Sequence, residues 1–284
     1  MKHSPGRALR FPPVRFAVDV AHVYFSRRVS RASAGLAYFM VLTFFPIIIC
    51  LSAFLDQLQL NLNGFLDEAA HFLPREVILI FQEYLSYLDG NQSNGMLAVG
   101  IFTAILFASA AVRGLMNIMH EIYGRSTFRG LRQLVASVLF SLFLLVTVYL
   151  SMVVVVTGNW FFHLLGDLLG LEGLVEQFDT WQWLKYILLL AMVFLFILLL
   201  YRFSAPLEKP RPPVVPGALA ASVALAVSSM VFSLFISGSA RYSLVYGSLA
   251  SVIILLVWLY LCGNILILGS VVNYVIYSHK KERQ

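Results

Sequence analysis

Charge is what this sequence has least of. Of its 284 residues only 12% are Asp, Glu, Lys or Arg, against the roughly 25% carried by soluble domains. With 60% of the chain hydrophobic, a water-soluble globular domain is excluded and a bilayer is the expected solvent. Cysteine is nearly missing as well. Cys50 and Cys262 stand alone, each inside an apolar run, which argues against a disulfide or metal pair and for small core residues. The opening MKHSPGRALRFPPVRF has no short apolar region followed by a small-residue cleavage site. No cleaved signal peptide is expected, and the first long apolar run serves as the insertion signal.

Chemistry-bearing motifs are also missing. His3, His22, His71, His120, His163 and His279 show no metal-ligand spacing, and HEIYG at His120 is not HExxH, because Tyr123 and Gly124 follow. There is no Walker loop, no GxSxG and no paired cysteines. A nuclease needs metal-binding carboxylates and histidines, or an acid/base pair, within reach of RNA. The sequence supplies neither, so no catalytic residue, metal site or cofactor is read, and the protein is expected not to be an enzyme.

What is present is six long apolar runs. A helix needs about 20 residues to cross roughly 30 Å of hydrocarbon. Spans are expected at about 32–55, 95–112, 134–157, 183–203, 215–236 and 245–274. The second is short unless it continues past Arg113, and the first contains a kink position, Pro46. The fold class is therefore all-α, a polytopic bundle of six transmembrane helices. It divides into an amphipathic N-terminal segment (1–31), the membrane domain (32–277) with an external helical loop (56–94), and a basic tail (278–284).

The net charge of +6 then has a topological explanation. Of the 20 Lys and Arg residues, 17 fall on alternate loops, leaving only Arg75, Lys185 and Arg241 on the other side. Positive residues stay on the cytoplasmic face, so both termini are expected there. Ten of the 14 acids lie in the two external loops. No nucleic-acid partner is needed to account for the basic residues.

Between the spans, Phe11 to Ser30 reads as an amphipathic helix, either on the inner leaflet or packed under the bundle. In the first external loop, Phe65, Leu66, Ala69, Phe72 and Leu73 recur at helical spacing, and Val77, Ile78, Phe81, Leu85 and Leu88 do so after Pro74. In the second, FFHLLGDLLGLEGL is expected to add an interfacial helix. The proline-rich SAPLEKPRPPVVPG reads as a stiff link that sets the entry of span five, with Pro216 near its first turn.

Three stretches carry a resemblance. GLAYFMVLTFFPIII (Gly35 to Ile49), ASAAVRGLMNIMHEIYG (Ala108 to Gly124), and YSLVYGSLASVIILLVWLYL with GNILILGSVVN (Tyr242 to Asn273) resemble the signature segments of the YihY/BrkB family of bacterial inner-membrane proteins. The likeness runs from about Ser30 to Tyr277. Ala110 and Ala111 depart from the Ser or Gly often seen there. The resemblance implies six helices in the cytoplasmic membrane. One branch of the family is linked to serum resistance, and another once bore a tRNA-processing ribonuclease label. It supplies no catalytic residues.

Span six remains to be explained, because a greasy helix that keeps amides must satisfy them. Tyr260, Gly263, Asn264, Ser270 and Tyr274 share one face. Asn264 should face protein or a wet cavity, whereas Asn273 lies near the interface, where water can reach it. Gly217, Ala221, Ala224 and Ser228 form a small-residue stripe on span five that, with Gly263, suits close helix packing. Arg113 ends span two. The plainer reading makes Asn264 interhelical glue and Arg113 a snorkelling cation. The functional one makes Arg113, Asn264, Tyr260 and Ser270 the lining of a cavity for an anionic or zwitterionic substrate. The expected function is transport or flipping of a lipid or other amphiphile, with a structural or scaffold role as the alternative. Membrane lipids are the expected partners, and a homo-oligomer or an envelope protein stays open.

Overall fold

The computed structural model describes residues 12–57, 75–88, 94–124, 131–169, 180–205, 212–237 and 249–282. The described elements are eight helices: α1 (Pro12–Ser26), α2 (Val29–Gln57), α3 (Arg75–Leu88), α4 (Asn94–Ile122), α5 (Leu131–Leu169), α6 (Thr180–Ser204), α7 (Val215–Ser237) and α8 (Leu249–Glu282). Six of them, α2 and α4 to α8, are long and apolar enough to cross a membrane. The protein is an all-α, six-span bundle.

Helices bury what their sequence periodicity presents, because each backbone polar group must be satisfied within the segment when no water is at hand. Helix α8 is the axis. It packs on α2 and α7, and also touches α1, α3 and α4, while α2 packs most extensively on α4. One core cluster gathers side chains of α1, α2, α4, α6, α7 and α8, including Leu36, Leu115, Leu200, Ala218, Ile267 and Val271. A second lies towards the opposite end. There Val77, Ile78, Ile80, Phe81 and Leu85 of α3 cover Ile48 and Leu51 of α2 and Leu255 of α8. This is the amphipathic external helix expected after Pro74. Its companion around Phe65 to Leu73 lies outside the described residues.

Several boundaries differ from the sequence reading. Helix α4 runs on to Ile122, carrying Arg113 inside it rather than at its end. Helix α5 extends unbroken to Leu169, so Phe161 to Leu169 form no separate interfacial helix. No proline stands between Leu131 and Leu169 to interrupt the ladder, and the two glycines, at 158 and 166, each cost only about 1 kcal/mol. Helix α2 likewise continues through Pro46. Between α1 and α2 the chain turns at Arg28, whose φ of 51° is left-handed. For a non-glycine residue that conformation costs roughly 1–2 kcal/mol, so the corner is held by what α1 packs against.

Candidate functional site

The packing around α8 depends on glycine. At Gly263 a methyl group would sit 3.3 Å from the Ser33 carbonyl oxygen and 3.4 Å from Leu36, so α2 and α8 are in backbone contact there. At Gly269 it would overlap the Gly217 carbonyl and the Ala221 side chain, and at Gly217 the Gly269 carbonyl and the Asn273 amide. Gly217 and Ala221 are thus placed where α7 and α8 meet. Ala224 and Ser228, further along α7, are half-buried, and Ser228 bonds its own helix at the Leu225 carbonyl.

Asn273 does not meet water. It is 1% exposed, and its side chain closes the start of α7. The Gly217 N–H donates to Asn273 Oδ1 at 2.7 Å, and Asn273 Nδ2 donates to the Val214 carbonyl at 3.1 Å. The first four N–H groups of any helix lack internal partners, and here an amide from a different helix supplies one. Pro216 next door has no N–H to offer. From α6, the Tyr201 hydroxyl donates to the Leu266 carbonyl.

Asn264 is also partnered. Tyr24 of α1 donates to its Oδ1 at 2.9 Å, and its Nδ2 donates to the Tyr260 carbonyl at 2.9 Å. The Tyr260 hydroxyl in turn lies 2.7 Å from Ser30 Oγ at the start of α2. A third tie joins Asp19 Oδ2 to His279 Nε2 at 2.7 Å, with Phe16 edge-on to the same imidazole. Helix α1 is therefore fastened along α8. Sequence periodicity cannot find partners this far apart; the only signal was that Asn264 needed one.

Of the four candidate lining residues, the structure brings Asn264 and Tyr260 together and buries Ser270 on the same helix. Arg113 stands apart on α4. It is half-buried, and among the described residues it forms no ion pair and no hydrogen bond with Asn264. It lies on the side of α4 that meets α5: Ser109, four residues before it, stands 3.3 Å from Ser137, and Asn117, four residues after it, also bonds α5. A methyl group added at Gly114 or at Gly35 of α2 would meet nothing within 4 Å, and both glycines are exposed. Ile49 packs against Gly100, which sets the antiparallel register of α2 and α4. Gly35 and Gly114 each lie fourteen residues from that contact, about 21 Å along the helices at 1.5 Å per residue, and so at the same depth. Arg31, Tyr38 and Asn117 are exposed at neighbouring positions, and Gln133 of α5 donates to Asn117 Oδ1 at 2.6 Å.

An apolar cleft of about 390 Å³ opens between α5 and α6, lined by Leu131, Val135, Ala136, Leu139 and Phe203. Its size and greasiness suit a hydrocarbon chain. Where α4 ends, Tyr123 stacks edge-on against Tyr274 and Tyr277. Burial, then the neighbouring Tyr277 and Tyr274, push its phenol above the ordinary value. Among the described residues no three His, Cys, Asp or Glu side chains gather as a metal site would require.

Comparison with known proteins agrees with this architecture. The family model described as Virulence factor BrkB matches residues 20–284. The chain is 26% identical over 251 residues to the putative ribonuclease-like protein YfkH of Bacillus subtilis, covering 88% of this chain and 90% of that one. It is 31% identical over 117 residues to a UPF0761 membrane protein of Coxiella burnetii, covering 40% of this chain and 42% of the relative. A UPF0761 membrane protein of Photobacterium profundum is 46% identical over 54 residues, 19% of this chain and 17% of that one. No solved structure matches the chain.

Proposed function

We propose that this protein, which belongs to the Virulence factor BrkB family and is a multi-pass membrane protein, moves or flips a lipid-like amphiphile with an anionic group. On this reading it sits in the inner membrane with both termini cytoplasmic, the arrangement favoured by its Lys and Arg distribution. The observation that carries the proposal is Arg113, a half-buried cation within a membrane span, on the side of α4 that meets α5. A guanidinium at such depth is costly and marks substrate paths more often than packing sites. It also offers a planar, bidentate fork to phosphate. On this reading Arg113 would hold the headgroup while chains stay in lipid, and the apolar α5–α6 cleft has a lining that suits a hydrocarbon chain.

A second reading has its own observation. Along α8 the polar groups are consumed by interhelical bonds, Asn264 with Tyr24 and Asn273 with α7, and the glycine contacts shut the α7–α8 seam. A helix sealed in this way suits a scaffold that supports the envelope through partners. Reconstitution in liposomes with labelled phospholipids distinguishes the two. Movement of label between leaflets, lost in Arg113→Ala, supports the transport reading. Folded protein that moves no anionic or zwitterionic lipid overturns it and leaves the scaffold. The ribonuclease-like name belongs to the Bacillus relative and is not carried over to this chain.

A further inference from the structure

Helix α1 has two apolar faces on opposite sides. Phe16, Val20, Val23 and Tyr24 pack into the core cluster around α8. The opposite face carries Val14, Val18, Ala21 and Phe25, spaced as one helical stripe, and it is bare: Val18 is 46% and Phe25 76% exposed. A helix lying under a bundle in water would present polar groups there. The flank between the two faces holds Arg15, Asp19 and His22, and Asp19 is occupied by His279 and Arg15.

The depth of α1 is fixed by its partners. Tyr24 reaches Asn264, well within a span that extends to Lys281. The stretch of α8 between Asn264 and His279 that α1 follows is the same one met by Tyr123 at the end of α4 and by Gly217 at the start of α7. The bare stripe therefore looks sideways at the level where the spans end. Around it cations predominate: Arg15, Arg28, Arg31, Lys280 and Lys281 are exposed, while Asp19 is paired with His279 and Arg15. An apolar stripe rimmed by cations at the end of a span fits an anionic lipid surface.

We propose that α1 is wedged between the bundle and the lipid on its own side of the membrane, with Val14, Val18, Ala21 and Phe25 in the boundary between headgroups and acyl chains of anionic phospholipid. Arg15, Arg28 and Arg31 meet the phosphates. The helix is both packed on the bundle and interfacial, and the left-handed corner at Arg28 lets α1 leave α2 at the angle this requires. The proposal holds whether the protein transports or only supports.

The test uses the full chain in liposomes of phosphatidylethanolamine and phosphatidylglycerol, with Cys50 and Cys262 replaced by Ala. Spin labels are placed singly through Val18→Cys, Phe25→Cys and, on the flank, His22→Cys. Collision rates are read with dissolved oxygen and with a water-soluble nickel chelate. Labels at 18 and 25 should favour oxygen over nickel at least threefold relative to the label at 22. Equal nickel access at all three sites would put the stripe in water, and shielding of 18 and 25 from both reagents would put protein over it; either outcome overturns the proposal. Replacing phosphatidylglycerol with phosphatidylcholine should lower the oxygen-to-nickel ratio at Phe25→Cys at least twofold, and an unchanged ratio overturns the anionic assignment. If the cysteine replacements lower the folded yield, Phe25→Trp in otherwise unaltered protein reads the same face. Its added fluorescence should be quenched by lipids brominated on the upper acyl chain, and absence of that quenching counts against the wedge.

Discussion

Tyr24 and Asn264 stand 240 residues apart in sequence and 2.9 Å apart in space, the phenol donating to the amide oxygen. That single bond joins the first described helix to the last. It also answers why a helix as apolar as α8 keeps an amide at this position, since an unpaired one would be expensive away from water.

Removing either partner should weaken the attachment of α1. Hydrogen bonds between membrane helices average about 0.6 kcal/mol and reach about 1.7, so Tyr24→Phe and Asn264→Leu should each destabilise modestly. Unfolding of the two single variants and the double variant in bilayers should give a coupling in that range. Strict additivity would show that the bond contributes nothing.

Asn273→Leu should cost more than Asn264→Leu. It removes two bonds and leaves the Gly217 N–H unpartnered in a buried site, where an unsatisfied group costs about 1–3 kcal/mol. Gly217→Ala should be worse still, because the added methyl meets the Gly269 carbonyl rather than a yielding side chain. The fraction of folded protein recovered in mild detergent measures both, and a Gly217→Ala variant as stable as the parent contradicts the close approach.

Orientation is checked by labelling. Cys50 and Cys262 are buried, so single cysteines at Gln92 and Gln177 should dominate the reaction with an impermeant maleimide added to intact cells. Cysteines at Ser126 and Gln284 should react only after the cells are opened. External labelling of Ser126→Cys would reverse the topology.

If Arg113 binds an anionic headgroup, Arg113→Ala should abolish lipid movement in proteoliposomes while the amount of folded protein stays near that of the parent. Arg113→Lys should retain only part of the rate, since a point charge lacks the bidentate fork. Asn264→Leu tests whether α8 contributes to the same path: loss of transport with normal protein levels would join it to Arg113. Full transport by a stable double variant of Arg113→Ala and Asn264→Leu ends the shared-cavity idea.

The spans were legible because hydrocarbon imposes a length and an apolar composition that six runs satisfy. So was the buried face of α3, where Val77, Ile78, Phe81 and Leu85 repeat at helical spacing and are buried. What periodicity cannot show is which helix a polar residue meets. Asn273 looked wet from its position near the charged tail, yet its partner is a helix start 56 residues earlier. Helix α5 looked shorter than it is because Asn159, His163 and Asp167 follow its apolar run. Polar residues, unlike proline, leave the backbone ladder intact.

Because α8 follows the other described helices in the chain, they lack their shared axis until it is made. The spans α2 and α4 to α7 can enter the bilayer one by one as they are made. Until α8 follows, Gly217 has no cap, Tyr201 has no carbonyl to reach and Tyr24 has no amide. A ribosome that stops before Leu249 would leave the seven described helices before it threaded or attached but without their shared axis. Such a product would expose unpaired polar groups to lipid, which gives a membrane protease a physical difference by which to distinguish unfinished chains from finished ones.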